Sequence, residues 1–258
     1  MSMKYLKPLL FVFFMLLAMP AHAEKITVAA AADLKFAMDE IVTAFKKNNP
    51  TEELDVIYGS SGKFQTQIQR GAPYDLYFSA DIDFPRALAK NGFAASEVKP
   101  YAFGRIVLWS ASLDATKMSM ASLTDPKITR IAIANPKHAP YGKRAEEALR
   151  ASGLWEKLEP KLVYGENIAH TAQFVQTGNA QVGIIALSLA VNNELANRGG
   201  YWLIPDNLHK PLEQGYIITK RAESNALAKR FADYMGSKPA RAVMTKYGFV
   251  LPGEVAGK

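Results

Sequence analysis

The sequence predicts an α/β fold built from βαβ units. Short runs rich in Val, Ile and aromatics recur along the chain, segments with helical apolar spacing lie between them, and small or polar residues fill the junctions. That alternation is the pattern of helices packed on mostly parallel sheets. The apolar runs predict strands at Ile26 to Ala32, Asp55 to Ser60, Leu76 to Ala80, Arg105 to Ser110, Arg130 to Ala134, Val182 to Ala186 and Tyr216 to Thr219. Among the helical segments, Leu34, Met38, Ile41 and Phe45 share one face of the first, and Ala240, Val243, Met244 and Tyr247 one face of the last. Such stripes face a core rather than a cofactor.

No internal repeat or low-complexity tether divides the chain, so a boundary between lobes has to be a strand that crosses over. Crossings are expected near Tyr101 to Val107 and near Glu213 to Ile217. They give a discontinuous lobe 1 of residues 24–104 and 216–258, closed by the C-terminal helices, and a lobe 2 of residues 105–215.

Residues 1–23 read as a signal peptide. Lys4 and Lys7 precede an apolar run from Leu9 to Met19, and Ala21-His22-Ala23 is an A-x-A pattern that predicts cleavage after Ala23. The run is about half the ~20 residues of a membrane span, so an exported protein without a membrane anchor is expected. The chain has no Cys, which excludes disulfides, thiolate zinc sites, cysteine nucleophiles and a lipid anchor on cysteine. Its formal charge of +7 includes the two leader lysines, and the remaining Lys and Arg are scattered, so nucleic acid is not an expected partner.

Catalytic patterns fail one by one. Gly62-Lys63 resembles the end of a phosphate-binding P-loop, but Ile57 and Phe64 stand where that motif needs Gly and Ser/Thr. His138, His170 and His209 lack zinc-helix spacing, and Ser60 and Ser61 sit in no G-x-S-x-G elbow. Asp75 and Asp81 bracket a strand, where carboxylates ordinarily bond turn amides. A secreted hydrolase would need Asp75 or Asp81 to converge with His170.

Four segments do share a feature: a strand ends, small or polar residues follow, and a helix starts. They are Ala31-Ala32-Asp33-Leu34, Gly59-Ser60-Ser61-Gly62-Lys63, Ala139-Pro140-Tyr141-Gly142 and Glu166-Asn167-Ile168-Ala169. Each exposes unpaired first-turn N–H groups, and in doubly wound sheets such turns gather at the carboxyl edges of the strands. Helix starts there favour an anion without any Lys or Arg. Asp33, Ser61 and Asn167 are also ordinary N-cap residues, so each segment taken singly is explained by its own helix.

At these residues the chain resembles the periplasmic molybdate-binding proteins of ABC transporters. The resemblance runs from Lys25-Ile26-Thr27-Val28 through Gly59-Ser60-Ser61-Gly62, Gly71-Ala72-Pro73-Tyr74-Asp75-Leu76 with Ser79-Ala80-Asp81, and Asn135-Pro136 to Gly142, and closes on Lys246-Tyr247-Gly248-Phe249. It implies a two-lobed type II periplasmic-binding-protein fold with molybdate or tungstate in the cleft, held by neutral donors. It further implies a periplasmic monomer that docks transiently on an ABC permease, with no cofactor, no direct metal ligand and no enzymatic activity. Carried over by position, the ligand residues are Asp33, Ser61, Tyr141 and Ile168.

Two departures stand out. Relatives commonly carry serine where this chain has Asp33, and tyrosine where it has Ala186; the Tyr141 hydroxyl is expected to replace the latter. An ionised carboxylate and a fully ionised oxyanion are both acceptors only. Asp33 is therefore expected to turn its side chain onto its own helix as an N-cap. The rival readings are another oxyanion, such as phosphate, sulfate or chromate, and a small carboxylate clamped by Arg105 or Arg144.

Overall fold

The computed structural model describes residues 24–254; the leader, its cleavage after Ala23 and residues 255–258 lie outside them. Two five-stranded sheets organise the chain. The first part contributes β1 (Lys25–Ala31), α1 (Lys35–Asn48), β2 (Glu53–Gly59), α2 (Ser61–Gln69), β3 (Leu76–Ser79), α3 (Asp83–Lys90) and β4 (Lys99–Gly104). The second sheet uses β5 (Ile106–Trp109), β6 (Ile131–Ala134), α4 (Pro140–Ala151), α5 (Trp155–Leu158), β7 (Leu162–Gly165), α6 (Ile168–Gln176), β8 (Val182–Ala186), α7 (Leu187–Ala190), α8 (Asn193–Ala196) and β9 (Tyr201–Leu203). The chain then returns with β10 (Leu212–Ile218) and ends in α9 (Ala226–Tyr234) and α10 (Lys238–Lys246).

The strand orders are β2-β1-β3-β10-β4 and β7-β6-β8-β5-β9. Each sheet has three parallel strands joined through helices, and antiparallel pairing where the crossing strands β10 and β5 enter. Every residue of β3, β5, β6 and β8 is buried, as strands covered on both faces must be. Strand alternation then sorts side chains to two cores. Ile26, Val28, Ala30, Leu76, Phe78 and Tyr216 pack with α1, α9 and α10, while Ala29, Tyr77 and Ile217 face Phe64 and Leu88 on the other side. Met38, Ile41 and Phe45 are buried along α1, after Leu34 in the turn before it.

Three strands have no counterpart among the expected ones: β4, β7 and β9. All three are sheet edges, where one side is solvated and apolar runs break up. Pro100 in β4 is tolerated there for the same reason. The first half of β10 was also not expected, and it changes the crossing. Leu212 already pairs with Gly104 in the first sheet, so the boundary expected at residue 215 falls inside a strand. The outward crossing, between Gly104 and Ile106, lies within the expected segment.

Phe231 is fully buried, edge-on to Phe45 at 5.2 Å and to Phe78 at 6.5 Å. Phe231→Ala is expected to lower the unfolding free energy by about 3–5 kcal/mol in urea denaturation. A loss under about 1 kcal/mol would mean that the aromatic cluster does not organise this core.

Candidate functional site

The four turns meet. β1, β2, β6 and β7 present their carboxyl ends to one cavity, lined by Ala32 and Asp33 after β1, Ser60 and Ser61 after β2, Pro140 and Tyr141 at the start of α4, and Asn167 and Ile168 at the start of α6. The space between them is small, about 10 Å³, roughly what one water molecule occupies on this measure. Two helix starts come from each sheet, so the cavity exists only while the lobes face each other.

Local chemistry leaves donors at this point. Ser61, 1% exposed, accepts the Ala80 N–H at Oγ over 3.0 Å, so its hydroxyl hydrogen remains to be donated. Its main-chain oxygen accepts from the Tyr77 hydroxyl at 2.8 Å, which pins the turn. Asn167 caps α6 through the His170 N–H at 2.9 Å, while the Ile168 and Ala169 N–H groups have no intrahelical acceptor. Pro140 at the first position of α4 has no N–H, so Tyr141 supplies the first one of that helix. The Ile168 side chain is buried in the core of the second sheet, which leaves its main chain to line the cavity.

Contacts across the cleft hold the lobes shut. The His138 carbonyl accepts from the Ser60 hydroxyl at 2.5 Å and from the Gly62 N–H at 3.0 Å. A Cβ on Gly62 would stand 2.7 Å from that carbonyl, so only glycine permits this approach. Lys63 and Glu166 pair across the rim. The Ser188 hydroxyl at the start of α7 donates to the Asp33 carbonyl at 2.7 Å.

The Asp33 side chain does not behave as expected. Neither the 3-10 turn Ala32–Leu34 nor α1 carries a side-chain cap. Instead Asp33 Oδ2 accepts from the Tyr141 hydroxyl at 2.9 Å and from Gln214 Nε2 at 2.7 Å. Gln214 Nε2 lies 3.1 Å from the Tyr141 hydroxyl oxygen, and Gln214 Oε1 accepts from Tyr101 at 2.6 Å. The Tyr141 hydroxyl proton is thereby committed to Asp33, so it does not take over the work of the tyrosine absent at Ala186. Asp33 Oδ1 is buried without a hydrogen-bond partner among the described residues. Burial pushes the carboxyl up from 3.8 to about 6, against the opposing pull of Gln214, Tyr141 and the nearby N–H groups of Asp33 and Leu34. Gln214 was not foreseen; a single glutamine beside Gly215 reads as a turn residue, and only the return of β10 beneath the cavity gives it a role.

The rival constellations come apart. Arg105 and Arg144 do not line this cavity; Arg144 pairs with Asp81 and Glu147, and Arg105 approaches Asp206 at the crossing. Asp75 sits at the opposite end of β3 from the cavity, holding the Thr27 N–H at 2.7 Å and pairing with Arg221. His170 packs on Phe174 with ring centroids 4.4 Å apart. Among the described residues no group of three or more His, Cys, Asp or Glu could hold a metal ion.

The Asp33 carboxyl links stability to pH. The folded protein holds its proton more tightly than the unfolded chain does. Its contribution is therefore fully present below about pH 3.8 and is lost as pH rises through about 6. Asp33→Asn, which keeps an acceptor for Tyr141 and Gln214, is expected to gain stability over wild type as pH rises from 4 to 8. The gain approaches about 3 kcal/mol in urea unfolding without ligand. Parallel pH profiles for the two proteins would show that the buried carboxyl is not the source.

Comparison with known proteins agrees along most of the described chain. A family model described as bacterial extracellular solute-binding protein matches residues 26–250. The molybdate-binding protein ModA of Rhodobacter capsulatus is 36% identical over 235 residues, 91% of each chain. That of Azotobacter vinelandii is 36% identical over 237 residues, 92% of this chain and 94% of the other. The solved structure of the Azotobacter vinelandii periplasmic molybdate-binding protein superposes with a TM-score of 0.83 at 31% identity, covering 88% of this chain and 99% of that one. With its two facing sheets and a cleft between them, this chain belongs to the bacterial extracellular solute-binding proteins.

Proposed function

We propose that the chain binds molybdate, or tungstate of the same shape, in the periplasm and delivers it to the permease of an ABC importer. The observation that carries this reading is the meeting of four helix starts around one small cavity whose lining, among the described residues, includes no Lys or Arg. A tetrahedral oxyanion needs donors on all sides, and helix-start N–H groups with the Ser61 hydroxyl supply them without a counter-ion. The relatives named for molybdate binding support the choice of ion.

In this reading Ser61 contributes its hydroxyl and N–H, and Tyr141 and Ile168 contribute main-chain N–H groups. Asp33 borders the ion from the first lobe. Lobe 1 ends at Gly104 and resumes at Leu212, residues 105–211 form lobe 2, and the bonds from Ser60 and Gly62 to His138 form as the lobes close. Size sets selectivity. Donors fixed on two rigid sheets cannot close around the smaller sulfate, and each bond left unmade in a dry site costs about 1–3 kcal/mol. The leader is removed after Ala23, the mature protein is a monomer, and the permease reads the closed form.

Thermal unfolding of the mature protein with molybdate, tungstate, sulfate and phosphate at equal concentration tests the proposal. Molybdate and tungstate should each raise the midpoint, corresponding to about 2.7 kcal/mol at a hundredfold excess over Kd. A rise with phosphate alone would assign the site to a different oxyanion. Ser61→Ala should weaken molybdate about 10- to 100-fold in calorimetric titration, the loss of one hydrogen bond to a charged group. An unchanged Kd would remove Ser61 from the site.

A further inference from the structure

We infer that the closed site holds one proton together with its oxyanion, on Asp33 Oδ1, so that this carboxyl is a donor to the ion. The inference rests on the oxyanion reading above and assigns Asp33 its part in it. Asp33 is 1% exposed and lines the cavity; Oδ2 is occupied by Tyr141 and Gln214, and Oδ1 has no partner among the described residues. An ionised Oδ1 can only accept, and so can every oxygen of a dianion. In a site closed to water the two would repel, with no solvent between them to screen the charges. One proton converts that repulsion into a charge-assisted hydrogen bond.

Among the described residues, the charged groups around the carboxylate are already paired with one another. Both side-chain partners of the carboxylate are neutral. Of the elements packed on the 3-10 turn, α1 brings Lys35 and Asp39, paired with each other at the surface, and β2 brings Tyr58, bonded to Asp39. α6 brings His170, occupied by the Glu166 N–H and Phe174, and α7 brings the uncharged Ser188. From α4 come Tyr141 and Arg144, the latter held by Asp81 and Glu147. β4 brings Tyr101, while α2 brings Lys63, spent on Glu166. His138 also titrates near the rim; burial, then Lys63, lowers its pKa, and its ring contacts Ser60 rather than Asp33.

The proton comes from solvent as the lobes close. In the closed form burial alone raises this carboxyl to about 6, so below that value the closed site carries the proton even before the ion adds its charge. Above that value each ion draws in a proton, and affinity falls as pH rises.

Calorimetric titration of the mature protein with molybdate, from pH 5 to 8.5 in buffers of different ionisation heat, tests this. Uptake should approach one proton per ion at pH 8, with Kd weakening about tenfold per pH unit above about 6.5. Asp33→Asn should bind with a flat profile, and His138→Gln should keep the wild-type slope. Wild-type binding without proton uptake overturns the inference and leaves the oxyanion reading standing. A wild-type slope that survives in Asp33→Asn also overturns it, because the proton then rides elsewhere. Failure of every oxyanion to bind at any pH overturns both.

Discussion

An anion held without a fixed cation must be met by donors that the fold has left unpaired, and in a folded chain those are the first N–H groups of helices. That requirement governs the architecture. Helix starts collect at one edge only if the strands before them run in the same direction, which is why β1 and β2 in one sheet, and β6 and β7 in the other, are parallel neighbours. Setting the two carboxyl edges face to face yields four helix starts around one cavity. The antiparallel strands β5 and β10 are then the means of crossing between sheets, and the cavity lies between the lobes that they join.

The second organising contact is the buried group of Asp33, Tyr141, Gln214 and Tyr101. It draws on the turn after β1, the start of α4, and the two strands β10 and β4 that flank the crossings. Gly104, where the chain leaves the first sheet, has no space for a side chain: a Cβ there would stand 2.2 Å from the Tyr141 hydroxyl oxygen. The crossing therefore packs directly against Tyr141, which also lines the cavity. Closing the lobes completes this polar group, and opening them would separate Tyr141 from Asp33 and expose the carboxylate to water.

Much of this was legible in the chain itself. Central strands announce themselves because burial on both faces demands unbroken apolar runs, as in Ile131-Ala132-Ile133-Ala134 and Val182-Gly183-Ile184-Ile185. The edge strands β4, β7 and β9 did not, because a half-solvated strand has a pattern shared with loops. The four turns could be singled out because helix starts carry local signatures in the residues that begin them, and the family resemblance then pointed within them to Asp33, Ser61, Tyr141 and Ile168. The misreading of Asp33 as a cap has the same origin: capping is a local rule, and the partners that won were 108 and 181 residues away.

Sequence by itself determined the α/β class, the helix starts and the shortage of cations or metal ligands around them, because each follows from residue type and short-range spacing. Tertiary structure alone decided which lone pairs are occupied. That Oδ2 of Asp33 is occupied while Oδ1 is left without a partner among the described residues depends on Gln214 returning on β10 and on Tyr141 arriving from the other lobe. Those are distances between segments far apart in the chain, and no local pattern encodes them.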